Sequence, residues 1–162
     1  MPVVLARVDD RLVHGQIIES WVPHLQADFV CVIGDKIFED GPRCRLMRMI
    51  VPVPIVFSVV STAGLKSCLE HRKDKNVLLL FGSLADVLTV ARNGVSIGAV
   101  NIGNLHHLRR GLKVSPSVFL DRNDIEILGE LLSLGIGVEA MDLPGGRSYD
   151  LSKIALSRGD VQ

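Results

Sequence analysis

Short, unbroken apolar runs alternate along this chain with stretches whose apolar residues recur at helical spacing. That alternation constrains the fold more than any other feature. "NVLLLF" (76–81) is the plainest run: from Val77 to Phe81 no residue is polar, so a strand there has no face to turn to water. It predicts a central strand covered on both sides. Similar runs predict strands at "PVVLARV" (2–8), "DFVCVIG" (28–34), "PIVFSVV" (54–60), "GAVNIG" (98–103), "SVFL" (117–120) and "GVEAMDL" (137–143). Between them, helical spacing predicts helices over 14–25, 40–50, 61–72, 83–94 and 121–135. Pro23 threatens to shorten the first, and Pro42 suits the first turn of the second. Ser61 or Thr62 is placed to cap the third. Ser83, with Asp86 three residues on and Gly94 as a stop, frames the fourth. Strands and helices in this order predict a single α/β domain spanning 1–162, with a mostly parallel central sheet and helices on both faces.

Composition narrows the function. Hydrophobic residues make up 48% of the 162 residues and aromatics only 4%, so the core is built from Val, Ile and Leu. Lys+Arg and Asp+Glu are both 18, and there is no basic excess of the kind that marks a nucleic-acid binder. Cys31, Cys44 and Cys68 are odd in number and too scattered for a metal motif or a disulfide framework. They are expected to be small buried hydrophobes in a reducing compartment. No signal peptide or membrane-length apolar run is read, which places the protein in the cytoplasm.

In a parallel α/β sheet, ligands bind beyond the carboxyl ends of the strands. The residues there are Asp9/Asp10, Gly34/Asp35, Ser58/Ser61, Phe81/Gly82/Ser83, Asn101/Gly103 and Asp142. His14 joins them at the start of the first predicted helix. A helix start offers unpaired N–H groups and partial positive charge, which suit a phosphate. Arg11 and Arg7 precede His14 by three and seven residues, and a guanidinium fork matches phosphoryl oxygens. Gly15 leaves room for backbone to approach a ligand. A neutral imidazole is a nucleophile through one nitrogen if the other is held. Either Asp9 or Asp10 is placed to hold it. The set reads as a histidine that accepts a phosphoryl group and passes it on. Against this stands a plainer account, in which the histidine caps the helix or lies on the surface and Asp-Asp is turn chemistry.

Two rival readings fail. Magnesium-dependent aspartyl phosphorylation needs a carboxylate after the third strand, where this chain has "FSVVST", and a lysine after the fifth. Nucleotide-binding glycine loops are missing from the sequence.

"RVDDRLVHGQI" (7–17) closely resembles the signature R-[IV]-D-D-R-L-[IV]-H-G-Q of the IIB components in the mannose/fructose/sorbose class of the bacterial phosphoenolpyruvate-dependent sugar phosphotransferase system (PTS). "VLLLF", then a helix with "DVL", then "VNIGN" and "DRNDIEIL" follow the same family order. The resemblance implies a phosphotransferase in which His14 takes a phosphoryl group from the phosphohistidine of a mannose-class IIA protein. His14 then gives it to a sugar held by the membrane components IIC and IID, at whose cytosolic face the protein docks transiently. Arg11 is implied to bind the phosphoryl group, and Asp10 to shape the loop. No cofactor and no metal are expected. The alternative of another class is a regulatory paralogue, phosphorylated at His14 but acting by phosphorylation-dependent partner binding. Gln16 matches the signature without a separate physical role.

Four regions stand apart from this reading. His106, His107, Arg109 and Arg110 either extend the phosphate rim or docking face or form a solvated loop. The tail after Pro144 opens with turn residues and has no assigned role beyond a short closing helix. His24 and His71 read as ordinary helix residues and Trp21 as core. Leu46, Met47, Met49 and Ile50 read as a buried helix face.

Overall fold

The structure, a computed structural model, describes residues 3–106 and 110–159. Seven strands form one sheet in the order β3-β2-β4-β1-β5-β8-β9. These are β1 (Val3–Asp9), β2 (Phe29–Ile33), β3 (Val56–Val60), β4 (Val77–Phe81), β5 (Ala99–Asn104), β8 (Gly137–Ala140) and β9 (Tyr149–Asp150). All neighbours run parallel except β8 and β9. A separate antiparallel hairpin joins β6 (Leu112–Ser115) to β7 (Val118–Leu120). The strand expected over 117–120 is therefore present as Val118–Leu120, but outside the main sheet.

Every residue of β2 and β4 is buried. Successive side chains point to opposite faces of a strand, and the two apolar runs feed two cores in this way. Phe29, Cys31, Ile33, Val77, Leu79 and Phe81 pack with Leu65 and Leu69 of α4 (Leu65–Glu70), with α5 (Leu84–Arg92), and with Leu128 and Leu131 of α6 (Arg122–Ser133). Val30, Val32, Leu78 and Leu80 pack on the other face with Ile17, Trp21, Ile37 and Met47. Apolar residues on both strand faces thus produce helices on both sheet faces. Tyr149, Leu151 and Ile154 attach the tail, including α7 (Ser152–Gly159), to the first core.

The local signals act through identifiable contacts. Ser83 Oγ accepts the Asp86 N–H at 3.2 Å and starts α5, and Gly94 follows its end with φ +82°. Asp40 caps α3 (Gly41–Ile50), with Pro42 in its first turn. Ser61 caps a turn ahead of α4, accepting from Gly64 N, whereas buried Thr62 donates to Asp35.

The first helix runs from Gly15 to Leu25 and contains a wide π turn, Ile17–Trp21, before α1 (Val22–Leu25). In that turn the Val22 N–H reaches back to the Ile17 carbonyl. Pro23 has no N–H to give to the preceding turn, and the wider winding accommodates that gap.

One expected face is not buried. Met47 is 4% exposed, but Leu46 is 62%, Ile50 45% and Met49 81% exposed. α3 is followed by an edge strand and meets the sheet along a narrow seam, where Met47 is its one buried residue and Arg48 lies over Phe57. α2 (Asp35–Glu39) was not expected either: five residues are too few to show helical spacing.

Candidate active site

β1 alternates Ala6 and Val8 into one core with Arg7 and Asp9 on the opposite face. β5 does the same, placing Val100 and Ile102 in that core and Asn101 opposite Arg7. The register of the pair shifts between Val8↔Ile102 and Asp9↔Asn104, leaving Gly103 as the extra residue of a bulge. The bulge brings Asn104 level with Asp9, at the carboxyl ends of both strands.

Asp9 is the hub. Its side chain is fully buried. Oδ2 lies 2.9 Å from His14 Nε2 and accepts from Asn104 Nδ2 at 2.9 Å. Oδ1 accepts the Arg11 backbone N–H at 3.0 Å, with Arg11 Nε 3.7 Å away. Burial opposes ionisation of this carboxyl, but the hydrogen bonds from His14 and Asn104, with the charge of His14 and the Arg11 N–H, outweigh it and hold the pKa below the usual aspartate value. An ionised Asp9 only accepts, so the hydrogen of a neutral His14 sits on Nε2. Nδ1 then carries the lone pair and has no partner among the described residues. The ring is 15% exposed. This is the arrangement of an oriented nucleophile: one nitrogen fixed, the other free.

The backbone around His14 is shaped for access. Residues Asp9 to Leu12 form a turn closed by Leu12 N–H to Asp9 O at 2.9 Å. Leu12 takes the left-handed conformation, φ 56°, which costs a leucine roughly 1–2 kcal/mol. Its side chain is 3% exposed in the second core, and that burial offsets the strain. His14 O accepts from the N–H groups of Ile17 and Ile18, so the helix begins at Gly15. The N–H groups of Gly15 and Gln16 precede any intrahelical acceptor, and both residues are exposed. No atom comes within 4 Å of a β-carbon built on Gly15, so the approach over it is open.

Arg11 is 46% exposed, and its Nη2 donates to Gln16 Oε1 at 3.2 Å. That contact gives Gln16 a role the sequence did not reveal. Asp10 has other partners. Its N–H bonds to Asn104 O, and its carboxylate accepts the backbone N–H of His106 at 2.9 Å and the His106 ring Nδ1 at 3.1 Å.

Arg7 corrects the expectation that it binds phosphate. Its side chain is fully buried, with Nη1 donating to Asn101 Oδ1 and to Met141 O (2.8 Å) and Nη2 to Asp142 O (2.9 Å). The guanidinium stacks over Trp21, 4.5 Å from the ring centre, while Trp21 Nε1 donates to Asp142 O. Burial pushes the Arg7 pKa down to about 10, against the attraction of Asp9 and Asp142, so it stays charged at neutral pH. Arg7 is a buried strut beneath Asp9, with no open face for a ligand. Arg110 is exposed; His107 and Arg109 lie outside the described residues. The sequence did not single out Asn104. Its signal was a polar residue ending an apolar strand next to β1.

A mostly parallel α/β sheet with an aspartate-held histidine at its carboxyl edge puts a candidate nucleophile where folds of this class bind their ligands. The comparisons name the family. Residues 3–161 match the family model of the PTS system sorbose subfamily IIB component. The chain is 31% identical to the fructose-specific EIIB component of Bacillus subtilis, covering 95% of this chain and 96% of that one. It is 33% identical to the sorbose-specific EIIB component of Klebsiella pneumoniae, covering 86% of each. The crystal structure of the IIBSor domain of the sorbose permease from Klebsiella pneumoniae superposes with a TM-score of 0.89 at 29% identity, over the full length of both chains. The chain belongs to the sorbose-subfamily IIB components of the PTS, phosphotransferases that carry phosphoryl groups in sugar uptake. Among the described residues no helix is long and apolar enough to cross a membrane.

Proposed function

We propose that His14 is the phosphoryl carrier of this IIB component and that Nδ1 is the atom that carries the group. The observation that supports this most is the pairing of His14 Nε2 with buried, ionised Asp9, which leaves Nδ1 as the free nitrogen. The donor is the phosphohistidine of a mannose-class IIA protein. The Nδ1 lone pair of His14 attacks phosphorus, and the donor's N–P bond breaks with its electron pair returning to the donor ring. The hydrogen stays on Nε2, donated to Asp9, so no proton need move. Arg11, with the N–H groups of Gly15 and Gln16, meets the charge on the phosphoryl oxygens during the transfer. Transfer onward forms the O–P bond to a sugar hydroxyl, returns the N–P pair to Nδ1 and releases the hydroxyl proton. The sugar is held by the membrane components IIC and IID, so the protein works in the cytoplasm and visits the inner membrane face. Such partners must release, which fits docking over a small exposed rim. The chain from 1 to 162 is read as one IIB domain.

The test mixes the protein with the general phosphotransferase proteins, a mannose-class IIA and labelled phosphoenolpyruvate. Acid-labile, base-stable label on the wild type and none on His14→Ala is expected; equal labelling of both rejects the proposal.

A further inference from the structure

Two adjacent aspartates stand beside a site that must take up a phosphoryl dianion, and each is occupied by an imidazole. Asp9 holds His14 through Nε2. Asp10 holds His106 through Nδ1, at 3.1 Å, and also accepts the His106 backbone N–H at 2.9 Å. The two pairs are stitched to the same strand end, because Asp9 bonds Asn104 Nδ2 while the Asp10 N–H bonds Asn104 O. Asp9 is fully buried and saturated with donors. Asp10 differs: its side chain is 30% exposed, and it directly precedes Arg11 in the chain. Among the described residues Arg11 is nevertheless paired only with Gln16 and, more distantly, Asp9, and makes no ion pair with Asp10.

A free carboxylate next to Arg11 would compete with phosphoryl oxygens for the guanidinium, since both offer the same two-oxygen edge. It would also repel the incoming dianion. The His106 ring and backbone N–H both bind Asp10 Oδ2, and the ring also lies 3.4 Å from Oδ1, so the carboxylate is engaged by His106 and not by Arg11. We propose that His106 is a positioning residue for phosphoryl transfer, which sequesters Asp10 and so leaves Arg11 free to bind the phosphoryl group. This rests on the reading of His14 as the carrier. It assigns work to a residue outside the "RVDDRLVHGQI" signature.

The test measures the rate of phosphoryl transfer from phosphorylated IIA to the intact protein, with label on His14 confirmed in each variant. His106→Ala should slow transfer at least fivefold, because Asp10 is released toward Arg11. Adding Asp10→Asn to His106→Ala should bring the rate back to within about twofold of wild type, because a neutral amide no longer competes for Arg11. His106→Asn, which keeps a side-chain donor near the Nδ1 position, should retain at least half the wild-type rate. The alanine variant keeps its backbone N–H and removes only a part-exposed ring, and circular dichroism checks its fold. A His106→Ala rate equal to wild type overturns the proposal. So does a slow variant that Asp10→Asn fails to rescue, as does a slow His106→Asn, since a merely structural clamp predicts both. Absence of label on wild-type His14 rejects the carrier reading itself and is separable from all of these results.

Discussion

A β-carbon on Gly103 would lie 1.7 Å from Nη2 of Arg7, so the arginine occupies the volume that any side chain there would need. The bulge at Gly103 and the buried guanidinium are two halves of one device: the glycine opens the sheet, and the arginine fills the opening and supports Asp9 from below. Gly103→Ala should displace Arg7 and strand a buried charge, costing about 3–5 kcal/mol. Urea denaturation checks this, and a midpoint equal to wild type would contradict it.

Asp9 should matter to stability and to rate in different ways. An asparagine offers one acceptor where the carboxylate serves His14, Asn104 and Arg11, and it turns an amide N–H₂ toward donors. Asp9→Asn should lose about 1–3 kcal/mol at neutral pH. The folded pKa of Asp9 lies below its unfolded value, so its contribution is present above the unfolded pKa of roughly 3.9 and is lost as pH falls through the folded pKa. The stability gap between wild type and variant should therefore be full at pH 7 and narrow in acid. A gap that widens in acid would refute the assignment. The transfer rate should fall as well, because the His14 ring loses the partner that fixes its tautomer.

Arg11 is held by Gln16 and lies within 3.7 Å of Asp9, yet remains 46% exposed. A fully enclosed donor to a developing oxyanion is worth about 10²–10³ in rate. Water shares the load here, so Arg11→Ala should slow transfer by about tenfold to a hundredfold with its melting temperature nearly unchanged. Stopped-flow or quench-flow transfer from phosphorylated IIA reads this directly, and an unaltered rate would remove Arg11 from the site.

The sequence was most legible where burial is two-sided. The runs that became β2 and β4 allow no other arrangement, and Ser83 caps its helix and Pro42 sits in the first turn of α3 where their chemistry says they should. It was least legible where short elements depend on distant contacts. The five residues of α2 and the four of β6 carry too little periodicity to read. The apolar residues of α3 looked internal, but the edge position of β3 leaves most of that helix uncovered. In the site, His14 and its aspartates could be picked out because a charged cluster after a strand is unusual. Arg7 was misplaced because nearness to His14 in sequence was read as nearness to a ligand. The strand's alternation held the correct signal, since Arg7 shares a face with Asp9 and sits one strand-step deeper beneath it. Asn104 escaped, and His106 stood undecided between a phosphate rim and a solvated loop, because their partners lie 95 and 96 residues away in the chain.

The most direct test of the account is heteronuclear NMR of the protein labelled with 15N in its histidines and phosphorylated through the IIA protein. The account predicts a phosphorus–nitrogen coupling to Nδ1 of His14, with Nε2 still protonated against Asp9. Coupling to Nε2 of His14, or phosphate on any other residue, would contradict it.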